Sequence, residues 1–190
     1  DLIGFQTMGD RRNFIYCLQR LLPGIKISGR GPVITVTWNG RQVRVGAFAI
    51  SIDYVGFLRR ATAPTVEKKM HDIKDRFRGQ KIMLGLDRMD YTKGIPERLQ
   101  ALDKFLEDNP QYRGKVVFIQ AGMPSRTQID TYKAIGQRID DLMNGINDKY
   151  GTDSWQPVIP MTRQLAPETL NALRRMATFC VVSSLHDGMN

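Results

Sequence analysis

Arg88 and Lys93 are the residues of this 190-residue chain best placed to do chemistry. They stand in LGLDRMDYTKGIPERL, residues 84–99, between a short apolar run (Ile82, Met83, Leu84) and a helix pattern. That helix opens with Ile95-Pro96 and carries apolar positions at Leu99, Leu102, Phe105 and Leu106. A strand leading through a loop into a helix N-terminus presents free backbone N–H groups and the positive end of the helix dipole, which together favour an anion. A guanidinium and an ammonium in that loop suit it to a diphosphate, the anionic half of a nucleotide-activated substrate. Asp87 and Asp90 share the loop. No third oxygen ligand for a metal is evident, so both read as internal partners that orient the two cations.

Two further loops carry groups of the same kind. Gly122-Met-Pro-Ser-Arg126 opens a long helix pattern, with Ser125 as an N-cap and Arg126 in the first turn. A cation there opposes the helix dipole at a cost of a few tenths of a kcal/mol up to about 1 kcal/mol. A locally unfavourable position of this sort suits an anion contact, the alternative being an arginine reaching into solvent. His186-Asp-Gly-Met-Asn190 follows the last strand pattern. Asp187 can accept two hydroxyl hydrogen bonds, Gly188 lets backbone come close, and the N–H groups of the loop can donate to sugar oxygens. His186 reads either as a general base or as structural. Thr162–Ala166 adds a fourth loop on the same side.

The elements that must position these loops alternate. Strand 81–86, helix 95–108, strand 115–120, helix 126–147, strand 157–160, helix 167–176 and strand 178–183 follow in order. Near-continuously apolar strands such as Val116-Val-Phe-Ile119 and Phe179-Cys-Val-Val182 predict an α/β fold with a parallel Rossmann-type sheet covered by helices. Ligands bind beyond the carboxyl ends of the strands in such sheets, which is where the four loops converge.

The earlier part of the chain reads differently. Leu2–Gln6 is a strand, Asp10 an N-cap, and Phe14, Cys17, Leu18, Leu21 and Leu22 one face of a helix ended by Pro23-Gly24. Val33–Trp38 and Arg41–Val45 alternate about Asn39-Gly40, which predicts a hairpin with a type I′ turn. A further strand over 47–50 and helices over 53–60 and 64–78 follow. Gly79 ends the last of these, and the composition shifts there from basic to balanced. The expected boundary therefore divides 1–79 from 80–190.

The net charge is +9. Residues 1–78 hold 14 Lys/Arg against 6 Asp/Glu, and the basic residues come in ones and twos without a stacking motif. That pattern indicates a solvated basic face and no nucleic-acid partner. No run approaches the length of a membrane span, so no membrane partner is expected. Cys17 and Cys180 belong to no CxxC or Cys/His cluster and read as buried thiols in a reducing compartment. Two isolated histidines do not make a zinc site.

The chain resembles the trehalose-6-phosphate synthases, retaining glycosyltransferases of the two-lobed GT-B fold. The likeness runs through DLIGFQT at 1–7, RMDYTKGIPERL at 88–99, PSR at 124–126, NDKYG at 147–151 and HDGMN at 186–190. It implies transfer of glucose from UDP-glucose to glucose-6-phosphate, giving α,α-trehalose-6-phosphate and UDP, with no cofactor and no catalytic metal. The two substrates are the implied partners, the cytoplasm is the implied location, and a homo-oligomer is left open.

Position by position, Arg88 and Lys93 resemble the pair gripping the UDP diphosphate and are the catalytic candidates. Arg126 resembles the acceptor-phosphate contact. Leu165 falls where backbone holds the uracil. Asp187, Gly188, Met189 and Asn190 resemble the loop on the donor glucose and its phosphate. The resemblance further implies an internal stretch of a longer enzyme: 1–79 as the end of the N-terminal, acceptor-side lobe, and 80–190 as most of the donor lobe. By itself that stretch is expected to be inactive. A sugar-phosphate sensor of the same fold is the alternative reading.

Overall fold

The computed structural model describes residues 1–77, 79–122 and 130–185, and the chain divides into two compact units, Asp1–Tyr54 and Val55–Asn190.

The first unit is a four-stranded sheet with a helix against it. β1 (Leu2–Phe5), β2 (Lys26–Ser28), β3 (Val33–Trp38) and β4 (Arg41–Ala47) pair in the order β1-β4-β3-β2. β1 runs parallel to β4, and β3 and β4 form the expected hairpin, with Asn39 and Gly40 both at positive φ. α1 (Met8–Leu21) lays Ile15 against Val36 and Val45, with Phe5, Phe14 and Leu18 packed around them. Its N-cap is Thr7 rather than Asp10. The Thr7 hydroxyl accepts from the Asp10 N–H, and Asp10 sits in the first turn, where its charge suits the dipole. The face containing Ile15 is the buried one, which turns Cys17 and Leu21 outward. No separate strand covers 47–50. β4 simply runs on to Ala47, after which Phe48 N–H donates to the Phe5 carbonyl.

The second unit is a three-layer α/β/α arrangement. β5 (Lys81–Leu86), β6 (Val116–Ala121), β7 (Val158–Met161) and β8 (Phe179–Cys180) form a wholly parallel sheet in the order β7-β6-β5-β8. β6 is buried along its whole length, which is why its apolar run shows no alternation. One face carries Val116, Phe118 and Val158 against α4 (Ile95–Asp108) and α5 (Asp130–Tyr150). The other carries Ile82, Leu84, Val117, Ile119 and Ile159 against Leu173 of α6 (Pro167–Met176), with Phe77 and Ile73 beside them.

A further helix, α2, spans Tyr54–Ala61, and α3 spans Pro64–Lys74. α3 belongs with the second unit. Its Glu67 pairs with Arg175 of α6 at 2.5 Å, and its Val66 is buried. The units therefore divide at 54/55 rather than near 79, because packing on α6 outweighs the change in composition.

β8 is shorter than the expected strand 178–183 and stands at the sheet edge. Phe179 and Val182 are exposed, and so is Cys180. Neither cysteine is the buried thiol expected, one for its helix face and the other for its edge strand. Among the described residues no helix is long and apolar enough to cross a membrane.

Candidate active site

The carboxyl ends of β5, β6 and β7 frame a cleft of about 340 Å³, within the range of small-molecule sites. Leu86, Asp87 and Arg88 enter it from β5, Ala121 and Gly122 from β6, and Arg163, Gln164 and Leu165 from the loop after β7. Leu170 and Arg174 of α6 close it. The structure thus brings two expected residues, Arg88 and Leu165, into one cleft. Arg163 and Arg174 add two guanidinium groups that the sequence reading did not single out. Arg174 is steered by its own helix, donating to Asn171 Oδ1 at 3.3 Å, and lies over the Phe57 ring.

The loop from β5 to α4 is built to point Arg88 outward. Arg88 is exposed, while the next residue, Met89, inserts into the core beside Ile95 and Leu99. Asp90 follows, buried, and its carboxylate accepts from the Thr92 N–H and the Thr92 hydroxyl, each at 3.0 Å. Those bonds, the backbone one foremost, hold the Asp90 carboxyl below its ordinary value against the opposing effect of burial. Arg88 and Lys93 both add to the lowering. Asp90 is thus an anionic neighbour that feels both cations, while its own hydrogen bonds go to Thr92.

Asp87 behaves otherwise. Its carboxylate lies 2.7 Å from Arg98 Nη1 in the interior. Lys93 does not line the cleft. It ends the short turn Tyr91–Lys93, half-buried, with its carbonyl receiving the Ser183 hydroxyl at 3.1 Å. Gly94 then starts α4 in the left-handed region, φ 59°. Leu185 N–H donates to the Thr92 carbonyl at 2.8 Å, so the chain after β8 is stitched to this loop.

The most consequential residue missed by the sequence reading is Arg98. An arginine in a helix ordinarily reads as solvated, yet this one stands three residues after Ile95 and four before Leu102, both buried. That spacing puts it on the apolar stripe of α4 and was the available signal. Arg126 and the residues Asp187, Gly188, Met189 and Asn190, with His186 beside them, lie outside the described residues.

Comparison with known proteins fits this geometry. A curated relative is the 56 kDa subunit of the UDP-forming α,α-trehalose-phosphate synthase of Saccharomyces cerevisiae, 37% identical over 190 residues. The match takes in all of this chain and 37% of the relative, so the chain spans well under half of that protein's length. A UDP-forming synthase of the same name from Burkholderia xenovorans, solved with glucose-6-phosphate, superimposes with a TM-score of 0.89 at 29% identity. All of this chain and 42% of that one are covered. An Escherichia coli structure described as bound with UDP-2-fluoro glucose gives a TM-score of 0.86 at 30% identity, over all of this chain and 41% of its own. The family model for glycosyltransferase family 20 matches residues 1–190, and the chain belongs to that family.

Proposed function

We propose that this chain carries the donor side of a retaining glycosyltransferase that moves glucose from UDP-glucose to glucose-6-phosphate, yielding α,α-trehalose-6-phosphate and UDP. The observation that carries the reading is the outward-pointing Arg88 in a cleft with Leu165, at the carboxyl edge of a parallel sheet. Lys93 follows in the same loop, just before the α4 N-terminus. The names of the relatives support the substrate assignment, and the span of the match makes the activity one of the full-length protein.

The chemistry follows from charge. As the glycosidic bond breaks, negative charge collects on the departing UDP diphosphate. In this reading Arg88, from the cleft lining, and Lys93, from the same loop, supply the opposing cations, and charges already in place need little reorganisation as the bond breaks. Leu165 lines the same cleft as Arg88, and its backbone would hold the uracil, while Arg163 and Arg174 supply further positive charge for the nucleotide. Arg126 takes the acceptor phosphate, and the Asp187–Asn190 loop takes the donor glucose. Retention proceeds by front-face attack, with the departing phosphate helping to remove the acceptor hydroxyl proton. The enzyme works in the cytoplasm.

Calorimetric titration of the full-length protein with UDP, UDP-glucose and glucose-6-phosphate tests the reading. The expected result is binding of both UDP ligands, followed by release of trehalose-6-phosphate when donor and acceptor are present together. Binding without turnover would favour a sugar-phosphate sensor, and absence of UDP binding would defeat the proposal.

A further inference from the structure

Arg98 makes no use of its charge at the surface. Its side chain is 2% exposed, and it holds three separate pieces of the chain. Nη1 lies 2.7 Å from the Asp87 carboxylate and donates to Gln120 Oε1 at 3.2 Å. Nε donates to Ser183 Oγ at 2.9 Å. The Ser183 hydroxyl in turn faces the carbonyls of Lys93 and Gly94, at 3.1 and 3.0 Å. Gly85 leaves room for this head group, since a Cβ there would collide with Arg98 Nη1.

We propose that Arg98 is a positioning residue which fixes both ends of the loop 87–94 and locks it to the chain after β8, so that the two loops act as one unit. The inference rests on the reading of Arg88 and Lys93 as the diphosphate clamp. Arg88 is bonded directly to Asp87, one anchor, and Lys93 carries the other anchor on its own carbonyl. A guanidinium-to-hydroxyl-to-carbonyl relay in the interior is strengthened by low local polarity and by the charge that drives it. Stability alone does not explain the arrangement. A buried ion pair is often no better than apolar residues of the same volume, and here Arg98 Nη2, Gln120 Nε2 and Asp87 Oδ2 are buried without a hydrogen-bond partner, the last held to Arg98 by charge. What the network supplies is geometry. Ser183, three residues past β8, is where the Arg98 head group and the carbonyls ending the 87–94 loop meet.

The test uses the full-length protein with Ser183→Ala, the charge-neutral pair Asp87→Asn with Arg98→Met, and Ser183→Ala in an Arg88→Ala background. Ser183→Ala should lower kcat/KM for UDP-glucose about ten- to a hundredfold, the scale of a small misplacement of reacting groups. The KM for glucose-6-phosphate and the melting temperature should stay close to those of the parent. In the Arg88→Ala background the same change should lose most of its effect. The charge-neutral pair should melt normally and still be impaired with the donor. Unchanged donor kinetics in Ser183→Ala would overturn the inference, as would equal losses in both backgrounds when Arg88→Ala is itself damaged. A near-normal Arg88→Ala would overturn the clamp, and the positioning role with it.

Discussion

Arg88 points into the cleft because its neighbours point away from it: Met89 into the core, Asp87 onto Arg98, Asp90 onto Thr92. Its orientation is thus set by residues that never meet a substrate. In the full-length protein, Arg88→Ala or Lys93→Ala should lower kcat/KM at least about a hundredfold, the scale for removing one transition-state donor. Steady-state kinetics with UDP-glucose decides this, and near-normal turnover in either variant would contradict the clamp as a pair. Asp90 makes a separate prediction on pH. Its folded carboxyl lies below the free value, first because of the Thr92 N–H and then because of the Thr92 hydroxyl, Arg88 and Lys93. A lowered value means that its stabilising effect is complete above the unfolded value of about pH 4 and is lost as pH falls through the lower folded value. The gap in melting temperature between the parent and Asp90→Asn should therefore be steady from about pH 7 to pH 5 and close below about pH 4. A gap that widens on acidification would show that the assigned sign is wrong.

The loops are held together by the elements beneath them, and Gly94 is one place where they approach closely. It starts α4 at φ 59°, and a Cβ there would run into the Ser183 carbonyl oxygen. Gly114, φ 77°, has open space around it. Gly114→Ala should therefore cost only the left-handed strain, about 1–2 kcal/mol, while Gly94→Ala adds a collision to the same strain. Urea denaturation should rank the two in that order, and only Gly94→Ala should weaken UDP binding. Equal effects would mean that the contact between the loops carries no function. The same elements explain what the sequence could disclose. β5, α4 and α6 fall where they are expected, because apolar residues at the right period and a Pro in the first turn of each helix mark them locally. β2 leaves no mark in the sequence, since Lys-Ile-Ser carries one apolar residue and takes its order from β3. In the sequence Asn147 stands out only as part of NDKYG. It turns out to complete the edge of β7, donating to the Val158 carbonyl and accepting from the Val158 N–H, both at 2.9 Å. Arg88 is legible from its place between strand and helix and Leu165 through resemblance, but Arg98, Arg163 and Arg174 are not. A charged side chain reveals its partners only when distant strand ends are brought together.

At the scale of the whole molecule, the chain holds one wall of a two-substrate site in the proposed reading. The cleft, the clamp loop and the Arg98 network all lie within Val55–Asn190. The acceptor would be held by Arg126 and by groups beyond the span shared with the relatives, of which the match covers 37% in the yeast protein. Catalysis needs both substrates in near-attack geometry, and holding them so can supply roughly 7–11 kcal/mol of the barrier. A chain that holds the donor alone forfeits most of that. The 190-residue chain should therefore bind UDP weakly, through contacts that are largely ionic and so weaken as salt is raised. It should form no detectable trehalose-6-phosphate from UDP-glucose and glucose-6-phosphate. Titration with UDP at low and high salt, alongside a product assay on the same preparation, decides the matter. Turnover near an enzymatic rate would show that these residues hold the acceptor as well as the donor, and salt-independent UDP binding would place the affinity in the apolar lining of the cleft instead of its cations.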